Sequence, residues 1–310
     1  MAVLMGIDGG GTHTRAVAAD TEGKLLAYIK RQGGAFLYKD ANANENVRLA
    51  VLAAMDEASC GLGDVIGLAA GIAGYDKRSD LRWVRKLTKV EGLRCVVQHA
   101  NDAVVAHRGA LLFRPGIVAI AGTGSVIAGI NEKGKLIRNY DFRHYANNAA
   151  CSLTYECVEK ILAGEMDDTD FTDQVLRYFG ADDANALKAL KEKDFGMGNA
   201  QRMKLFGDFA PAVTQAALDG SKLARQICTR AAEETIEGIR LLGKCFTSNP
   251  IPVALVGSAA NSAFMKHAIA EQLRHKPKSS WWNPPCRPPW ARCSWRRNWR
   301  NSMLESYRKI

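Results

Sequence analysis

Short apolar runs separated by glycine-rich turns dominate the first 275 residues of this chain. The first run passes into Gly6–Ala16, which contains three consecutive glycines, and apolar residues resume in Val17–Asp20. The stretch Gly116–Asn131 has the same design, with its turn at Gly122–Ser125. Apolar runs bounded by glycine and hydroxyl residues are typical of strands joined by a tight turn. Two matching hairpins therefore predict a duplicated α/β domain with a ligand held between the halves.

The first turn has the composition of an anion site. Glycine lacks Cβ, so the backbone N–H groups of Gly9–Gly11 can converge on phosphate oxygens, and the hydroxyls of Thr12 and Thr14 can add donors. The carboxylate of Asp8 would then face the phosphates, which requires a cation such as Mg²⁺ between them. Taken alone, this segment is equally compatible with an ordinary hairpin turn.

A third glycine turn lies in Pro252–Ser262. This stretch is interpreted as a buried strand that runs into a turn at Gly257 and then into a helix through about Leu273. Such a turn suits the close approach of a flat base and a ribose.

The three turns, Asp-Gly-Gly-Gly-Thr, Gly-Thr-Gly-Ser and Val-Gly-Ser-Ala, resemble in this order the phosphate-1, phosphate-2 and adenosine motifs of the acetate and sugar kinase/Hsc70/actin superfamily. Within it, residues 1–275 are most similar to the BadF/BadG/BcrA/BcrD ATPase and N-acetylglucosamine kinase family. The resemblance implies two ribonuclease H-like (actin-like ATPase) α/β domains around a cleft for ATP and Mg²⁺, with Asp8 on the metal side. The implied ATP-binding residues are Gly9, Gly10, Gly11, Thr12, Thr14, Gly122, Thr123, Gly124, Ser125, Gly257, Ser258 and Ala259.

Asp102 is the candidate catalytic residue. It lies in Leu93–His107, where a short strand gives way to a helix, between the first two motifs. Phosphoryl transfer often uses a carboxylate to accept the proton of the attacking hydroxyl. The alternative is that Asn101 or Asp102 only caps the helix. The Asn-Asp-Ala triplet resembles the catalytic-base motif of the family, which implies Asp102 as general base and Gly74, Asn101 and Asp102 in the acceptor pocket.

The resemblance implies a kinase that transfers the γ-phosphoryl group of ATP to a hydroxyl of an amino sugar, N-acetylglucosamine-like or glucosamine-like. Two loops depart from the sugar-binding pattern of the family: Gly33–Asp40 lacks its Asn, and Arg138–Asn148 lacks its Gly-Asp-Glu-Gly-Ser segment. Two alternatives therefore stay open, an ATPase coupled to a partner protein, as in the 2-hydroxyacyl-CoA dehydratase activators, and a nucleotide or sugar sensor with impaired catalysis.

The eight cysteines include no CxxC pair and no zinc spacing, which predicts reduced thiols. This argues against the activator branch, whose dimers share an iron–sulfur cluster, although Cys151 and Cys157 leave that branch open. The chain begins directly with a core strand and has no run as long as a membrane span, so a cytoplasmic protein is expected. The expected partner is a small sugar, with no nucleic acid and no membrane, and a homodimer is left open.

Three regions are predicted: an N-terminal domain of residues 1–115, a C-terminal domain of residues 116–275, and a tail of residues 276–310 that is poorly ordered. Helical spacing of apolar residues predicts helices over Cys151–Ala163, Asp170–Phe179 and Ser221–Phe246 in the second domain.

The tail carries the basic character of the chain. It has nine Lys and Arg against one Glu, so eight of the ten net positive charges lie there and residues 1–275 carry only +2. It also holds five of the six tryptophans. Two interpretations of this tail are that it binds nucleic acid or that it lies at a membrane interface. A third interpretation, a shift of reading frame in the gene, is preferred. When Asn283–Trp290 is back-translated with GC-rich codons and read two nucleotides later, the new frame leads into a run of Ala, Leu and Glu that resembles the closing helix of the family.

Overall fold

The computed structural model describes residues 1–38, 40–165, 170–274 and 279–281. The chain divides between Arg114 and Pro115 into two compact units. Each unit is built on a five-stranded mixed sheet.

The sheet of the first unit has the strand order β3-β2-β1-β4-β5. Strands β1 to β3 are antiparallel, whereas β4 and β5 run parallel to β1. Alanine and branched aliphatic side chains of β1, β2 and β4 form the core with the buried face of α1. The strands are β1 (Val3–Gly9), β2 (His13–Asp20), β3 (Leu25–Gln32), β4 (Val65–Ile72) and β5 (Val96–Asn101), and the helices are α1 (Ala43–Glu57), α2 (Leu81–Leu87) and α3 (Asp102–Leu111).

The second unit repeats this plan with the strand order β10-β9-β6-β7-β8. Strands β6 to β8 are antiparallel and β9 runs parallel to β6, as β4 does to β1. The strands are β6 (Gly116–Ala121), β7 (Ser125–Ile130), β8 (Leu136–Arg138), β9 (Ile251–Val256) and β10 (Ser279–Trp281). The helices are α4 (Ala150–Leu162), α5 (Phe171–Phe179), α6 (Ala184–Glu192), α7 (Asn199–Asp219), α8 (Lys222–Gly243) and α9 (Ala263–Arg274).

The predicted helices are confirmed to within a few residues as α4, α5, α8 and α9. The sequence did not indicate α7, which contains Gly207 and Pro211, two residues that weaken a helix interior. Its buried side chains, among them Phe206, Phe209 and Val213, join the core of the second unit. Tertiary packing therefore outweighs the local propensity in α7.

Three residues of the predicted tail, 279–281, belong to the described part of the chain. Residues 279–281 pair with β9 as the parallel strand β10, so this part of the 276–310 segment is a strand, which its composition did not predict. Strand β9 thus has two partners, β6 on one side and β10 on the other. The remainder of 276–310 lies outside the described residues. Among the described helices, none has the length and hydrophobicity needed to cross a membrane.

Candidate active site

The first glycine turn joins β1 to β2 and combines tight packing with an open outer face. A Cβ at Gly9 would lie 2.5 Å from the Ala35 Cβ. The Gly10 N–H donates to the His13 carbonyl at 3.1 Å, which closes the turn. At Gly11 an added Cβ would meet nothing within 4 Å. The turn therefore presents backbone on its outer side.

The two threonines of this turn have different surroundings. The hydroxyl of Thr14 is buried under the turn and donates to the Gly33 carbonyl at 3.0 Å. The Thr12 hydroxyl lies at the turn itself, 3.0 Å from Nδ1 of His13. Thr14 thus anchors the turn to the segment after β3, whereas Thr12 is at its rim.

The Gly33–Gly34 segment supports the turn from beneath. The Gly33 N–H donates to the Thr12 carbonyl at 3.1 Å and the Ala35 N–H to the Gly10 carbonyl at 2.9 Å. A Cβ at Gly34 would lie only 2.4 Å from the Gly11 carbonyl oxygen. Glycine at this position is therefore required for the two loops to approach each other.

Asp102 is the first residue of α3, and Asn101 caps the helix. The Asn101 side chain accepts a hydrogen bond from the Ala103 N–H at 2.9 Å, which is the usual N-cap contact. Oδ1 of Asp102 accepts from the same N–H at 2.9 Å, so the two side chains share this contact. Burial, and next the negative charges of Asp8 and Asp76, raise the pKa of Asp102 to about 6. The carboxylates of Asp8 and Asp76 therefore act on Asp102 through their charge.

An ion pair at Asp8 was missed by the sequence analysis. Nη1 of Arg15 donates to Oδ2 of Asp8 at 2.8 Å, and both side chains are partly exposed. The two residues are cross-strand partners in the β1–β2 hairpin. Because residues directly opposite each other in a hairpin interact, the placement of Asp8 and Arg15 at matching positions before and after the turn is a sequence signal that could have predicted this pair.

The loop after β4 contacts the start of α3. Nδ2 of Asn101 donates to the Tyr75 carbonyl at 3.2 Å and to Oδ1 of Asp76 at 3.3 Å. Gly74 makes the turn with a φ of +79°, and a Cβ there would lie 2.3 Å from Phe36. The predicted acceptor residues Gly74, Asn101 and Asp102 therefore share one neighbourhood.

The second glycine turn joins β6 to β7. The Gly122 N–H donates to the Gly124 carbonyl at 3.0 Å, and an added Cβ at Gly124 would meet nothing within 4 Å. The Ser125 hydroxyl donates to Oδ1 of the buried Asn148. The carbonyl of Thr123 faces the thiol of Cys151 at 3.9 Å. Backbone is again open on the outer side of the turn.

The third turn packs directly on the second. Gly257 has a φ of +95°, and a Cβ there would lie 2.3 Å from the Ala121 carbonyl oxygen. The N–H groups of Ala259 and Ala260 donate to this same oxygen at 3.1 and 3.2 Å, and Ser258 is exposed. The predicted phosphate-2 and adenosine residues are therefore neighbours in the second unit, whereas Asp8–Thr14, Gly74, Asn101 and Asp102 lie in the first.

Histidines and cysteines near these motifs have structural surroundings. Nε2 of His99 lies 2.7 Å from the Thr88 hydroxyl, and burial with the charge of Arg85 lowers its pKa. Cys157 and Cys228 are buried in the core of the second unit, and burial raises the pKa of Cys228 to about 12. In the part of the chain that the structure describes, no cluster of three His, Cys, Asp or Glu could hold a metal ion.

Residues 5–280 match the family model described as the BadF/BadG/BcrA/BcrD ATPase family. The chain belongs to the BadF/BadG/BcrA/BcrD ATPase family. An N-acetylmuramic acid/N-acetylglucosamine kinase of Clostridium acetobutylicum is 26% identical to this chain over 148 residues. That match spans 46% of this chain and 47% of the relative, about half of each.

Solved structures share the fold of this BadF/BadG/BcrA/BcrD family member. A candidate N-acetylglucosamine kinase from Chromobacterium violaceum is 22% identical, with a TM-score of 0.70 over 90% of this chain and 94% of its own. A ROK family glucokinase from Streptomyces griseus, in complex with glucose and AMPPNP, is 18% identical, with a TM-score of 0.55 over 91% of this chain and 94% of its own. The predicted fold class, two ribonuclease H-like α/β domains, is thereby confirmed.

Proposed function

We propose that this protein is an ATP-dependent kinase that transfers the γ-phosphoryl group to a hydroxyl of an amino sugar, N-acetylglucosamine-like or glucosamine-like. The observation that carries the proposal is the partly buried carboxylate of Asp102, the first residue of α3, whose pKa is raised by burial and by the charge of Asp8. Family membership and the kinase relative support the same reaction class.

Asp102 acts as the general base. It accepts the proton of the acceptor hydroxyl as the oxygen attacks the γ-phosphorus, and the leaving group is ADP. A base is most effective when its pKa is close to the working pH, and a pKa of about 6 leaves Asp102 ionised at neutral pH while keeping it more basic than an exposed Asp. Asn101 holds the first turn of α3, and with it Asp102, in place.

The glycine turns bind the phosphates of ATP, and the turn at Gly257 lies against the adenosine. Open space over Gly11 and Gly124 gives anionic oxygens access to the backbone. The rim hydroxyl of Thr12 adds a side-chain donor in the first turn. Thr123 and Ser125 contribute through their backbone, since the Ser125 hydroxyl already donates to Asn148.

Asp8 is suited to hold Mg²⁺ together with the phosphates. Mg²⁺ is typically bound through one or two carboxylates plus substrate phosphates and waters, and the Asp8 side chain is 46% exposed. When bound, Mg²⁺ would neutralise the charge on the transferred phosphoryl group. Arg15, whose Nη1 donates to Oδ2 of Asp8, orients this carboxylate and adds a positive charge near the phosphates.

We place the reaction in the cytoplasm, where ATP and Mg²⁺ are abundant, with a small sugar as the partner.

The decisive experiment measures ADP release with Mg·ATP in the presence of N-acetylglucosamine, glucosamine, N-acetylmuramic acid and neutral hexoses. Turnover that depends on an amino sugar supports the proposal. Turnover without any sugar would instead indicate a coupled ATPase, and ATP binding without turnover a sensor.

The proposed base predicts the acid side of the pH profile. Because Asp102 must be ionised, kcat/KM for the sugar is expected to fall as the pH decreases through about 6, by about tenfold per unit below that value. Replacing Asp76 by Asn removes one like charge but keeps an oxygen that can accept from Asn101. The inflection of Asp76→Asn should therefore move to lower pH. A wild-type profile that stays flat to pH 4.5 would contradict the assignment of Asp102.

Gly34→Ala is expected to weaken ATP binding because the new Cβ would lie 2.4 Å from the Gly11 carbonyl oxygen and must displace the first turn. The expected loss is tenfold or more in Kd, measured by titration calorimetry with Mg·ATP. Gly63→Ala, in the same unit, is the matched control, since its Cβ would meet nothing within 4 Å. Equal ATP affinity in both variants would show that this turn does not contact the nucleotide.

A further inference from the structure

A chain of hydrogen bonds leads from the second glycine turn into the interior of the second unit. The hydroxyl of Ser125, the last residue of this turn, donates to Oδ1 of Asn148. Nδ2 of Asn148 donates to Oγ1 of Thr235 at 2.6 Å, and the Thr235 hydroxyl donates to the Ala231 carbonyl at 2.7 Å, one turn earlier in α8. We call Ser125, Asn148 and Thr235 the serine relay. The relay ties the glycine turn to α8, a helix that is distant from it in the sequence.

The two inner members of the serine relay are closed to solvent. Asn148 is 1% exposed and Thr235 is 0% exposed. Neither side chain is accessible to a nucleotide or a sugar, so any effect of theirs on binding must pass through Ser125, which is half-buried. A buried donor or acceptor that loses its partner costs more free energy than an exposed one, which makes each hydrogen bond of the relay important for the arrangement of the next.

The hydrogen bonds of the serine relay also fix its direction. A threonine hydroxyl has one proton, and the proton of Thr235 is committed to the Ala231 carbonyl, so Oγ1 can only accept from Asn148. The amide of Asn148 must then present Nδ2 to Thr235 and Oδ1 to Ser125. The proton of the Ser125 hydroxyl consequently points inward. Anionic oxygens at this turn are therefore left to its backbone, whose position the relay controls.

The same part of α8 also holds the residue that precedes the asparagine of the relay. Oε2 of Glu234 accepts from the Asn147 N–H at 2.6 Å. At the start of α4, the Ala150 N–H donates to the Gly122 carbonyl at 2.8 Å. Both ends of the glycine turn, Gly122 and Ser125, are thus attached to the short stretch 147–150, and α8 fixes that stretch.

We propose that Thr235 is a positioning residue for the second glycine turn, and that it acts through Asn148 to hold the turn in the arrangement that binds the phosphates of ATP. This inference rests on the proposed function, in which this turn is a phosphate site, and adds the buried residue on which the turn depends. Donors that are already in place bind without the cost of ordering them. Without the Thr235 hydroxyl, the Asn148 amide loses its acceptor and can turn, so Ser125 loses its fixed partner.

Thr235→Val replaces the hydroxyl by a methyl group of similar size and interrupts the relay. The Kd for Mg·ATP, measured by titration calorimetry, is expected to rise about five- to tenfold, because the turn is then in its binding arrangement only part of the time. Thr235→Ser keeps the hydroxyl and should retain the wild-type Kd to within about twofold.

Thr214→Val is the matched control. Thr214 is 6% exposed in α7, and its hydroxyl donates to the Pro211 carbonyl at 3.1 Å. Among the described residues, no hydrogen bond links Thr214 to a glycine turn. The chemical change is the same as in Thr235→Val, so both variants should lose thermal stability to a similar extent. Only Thr235→Val should lose affinity for Mg·ATP.

A double-mutant cycle separates the relay from a direct contact of Ser125 with the nucleotide. Ser125→Ala removes the outer end of the relay and should raise the Kd for Mg·ATP by a factor similar to that of Thr235→Val. Ser125→Ala/Thr235→Val should bind Mg·ATP no more weakly than the weaker of the two single variants, because the relay is already interrupted. Independent roles of the two residues would multiply their effects instead.

The positioning role is overturned if Thr235→Val binds Mg·ATP as the wild type does, if Thr235→Ser fails to retain binding, if Thr214→Val weakens binding equally, or if the two effects multiply in the cycle. Thermal melting shows whether each variant is folded. Thr235→Cys, whose thiol is only a weak hydrogen-bond partner, takes the place of Thr235→Val if that variant does not fold.

Binding as the readout keeps this test apart from that of the kinase reaction. Wild-type protein that binds Mg·ATP but phosphorylates no sugar would reject the proposed kinase, and the variants would still decide the role of Thr235. Sugar-dependent turnover together with an unaltered Kd in Thr235→Val rejects the positioning role alone. Wild-type protein that binds no Mg·ATP rejects both.

Discussion

Asp102→Asn is expected to lower the sugar-dependent kcat by about 10²- to 10⁴-fold, the usual contribution of a positioned general base. Asparagine has nearly the same shape as aspartate but cannot accept the proton of the attacking hydroxyl. Because Asn101 is the N-cap of α3 and an asparagine side chain at position 102 keeps an oxygen that can accept from the Ala103 N–H, the helix and the first glycine turn should remain in place. The affinity for Mg·ATP should therefore change little. ADP release at saturating sugar and calorimetric titration of ATP measure the two quantities separately.

Asp183→Asn provides the matched control. Asp183 is an exposed aspartate at the N-terminus of α6, where its side chain accepts from the Ala186 N–H at 2.8 Å. The chemical change is the same, and asparagine also caps helices well. Its kcat should equal that of the wild type. A reduction below tenfold in Asp102→Asn would exclude Asp102 as the base, and a parallel loss of ATP binding would indicate a structural role instead.

The same substitution is expected to stabilise the protein at alkaline pH. Burial raises the pKa of Asp102 from 3.8 to about 6, so the folded state favours the protonated carboxyl. The contribution of this group to stability is fully present below pH 3.8 and is lost as the pH rises through about 6. At pH 8 the ionised carboxylate costs about 3 kcal/mol relative to a neutral group. Asp102→Asn should therefore raise the free energy of unfolding by up to that amount at pH 8.

Urea unfolding in the absence of nucleotide, at pH 8 and at pH 4, measures this effect. The gain should be largest at pH 8 and close to zero at pH 4, where the wild-type carboxyl is already mostly protonated in the folded state. Asp183→Asn, at an exposed site, should show no such difference. An equal gain at both pH values would mean that the effect is unrelated to ionisation. A gain at pH 8 together with a loss of kcat would show that the site retains a destabilising charge because its reaction needs it.

Local residue patterns were sufficient to predict the glycine turns and the strand-to-helix transition at Asp102. Hairpins such as β1–β2 and β6–β7 depend on glycine and hydroxyl residues at fixed spacing, which are visible in the chain itself. The helix α7 was missed because Gly207 and Pro211 obscure its periodicity, and only packing against the core compensates for them. The strand β10 was missed for a similar reason, since it forms by pairing with β9 and not from its own composition.

By itself, the sequence determined the family, the repeated α/β plan and the positions of the candidate phosphate, adenosine and base motifs, because these depend on residue type and order. Tertiary structure alone decided that the Thr14 hydroxyl is buried beneath its turn against the Gly33 carbonyl, and that Asn101 contacts the loop after β4 at Tyr75 and Asp76. It also raised the pKa of Asp102 through burial and the charges of Asp8 and Asp76, and it brought the Tyr140 hydroxyl to the Ser125 carbonyl. Strand register, desolvation and through-space charge produce these features, and they depend on which elements the fold places side by side.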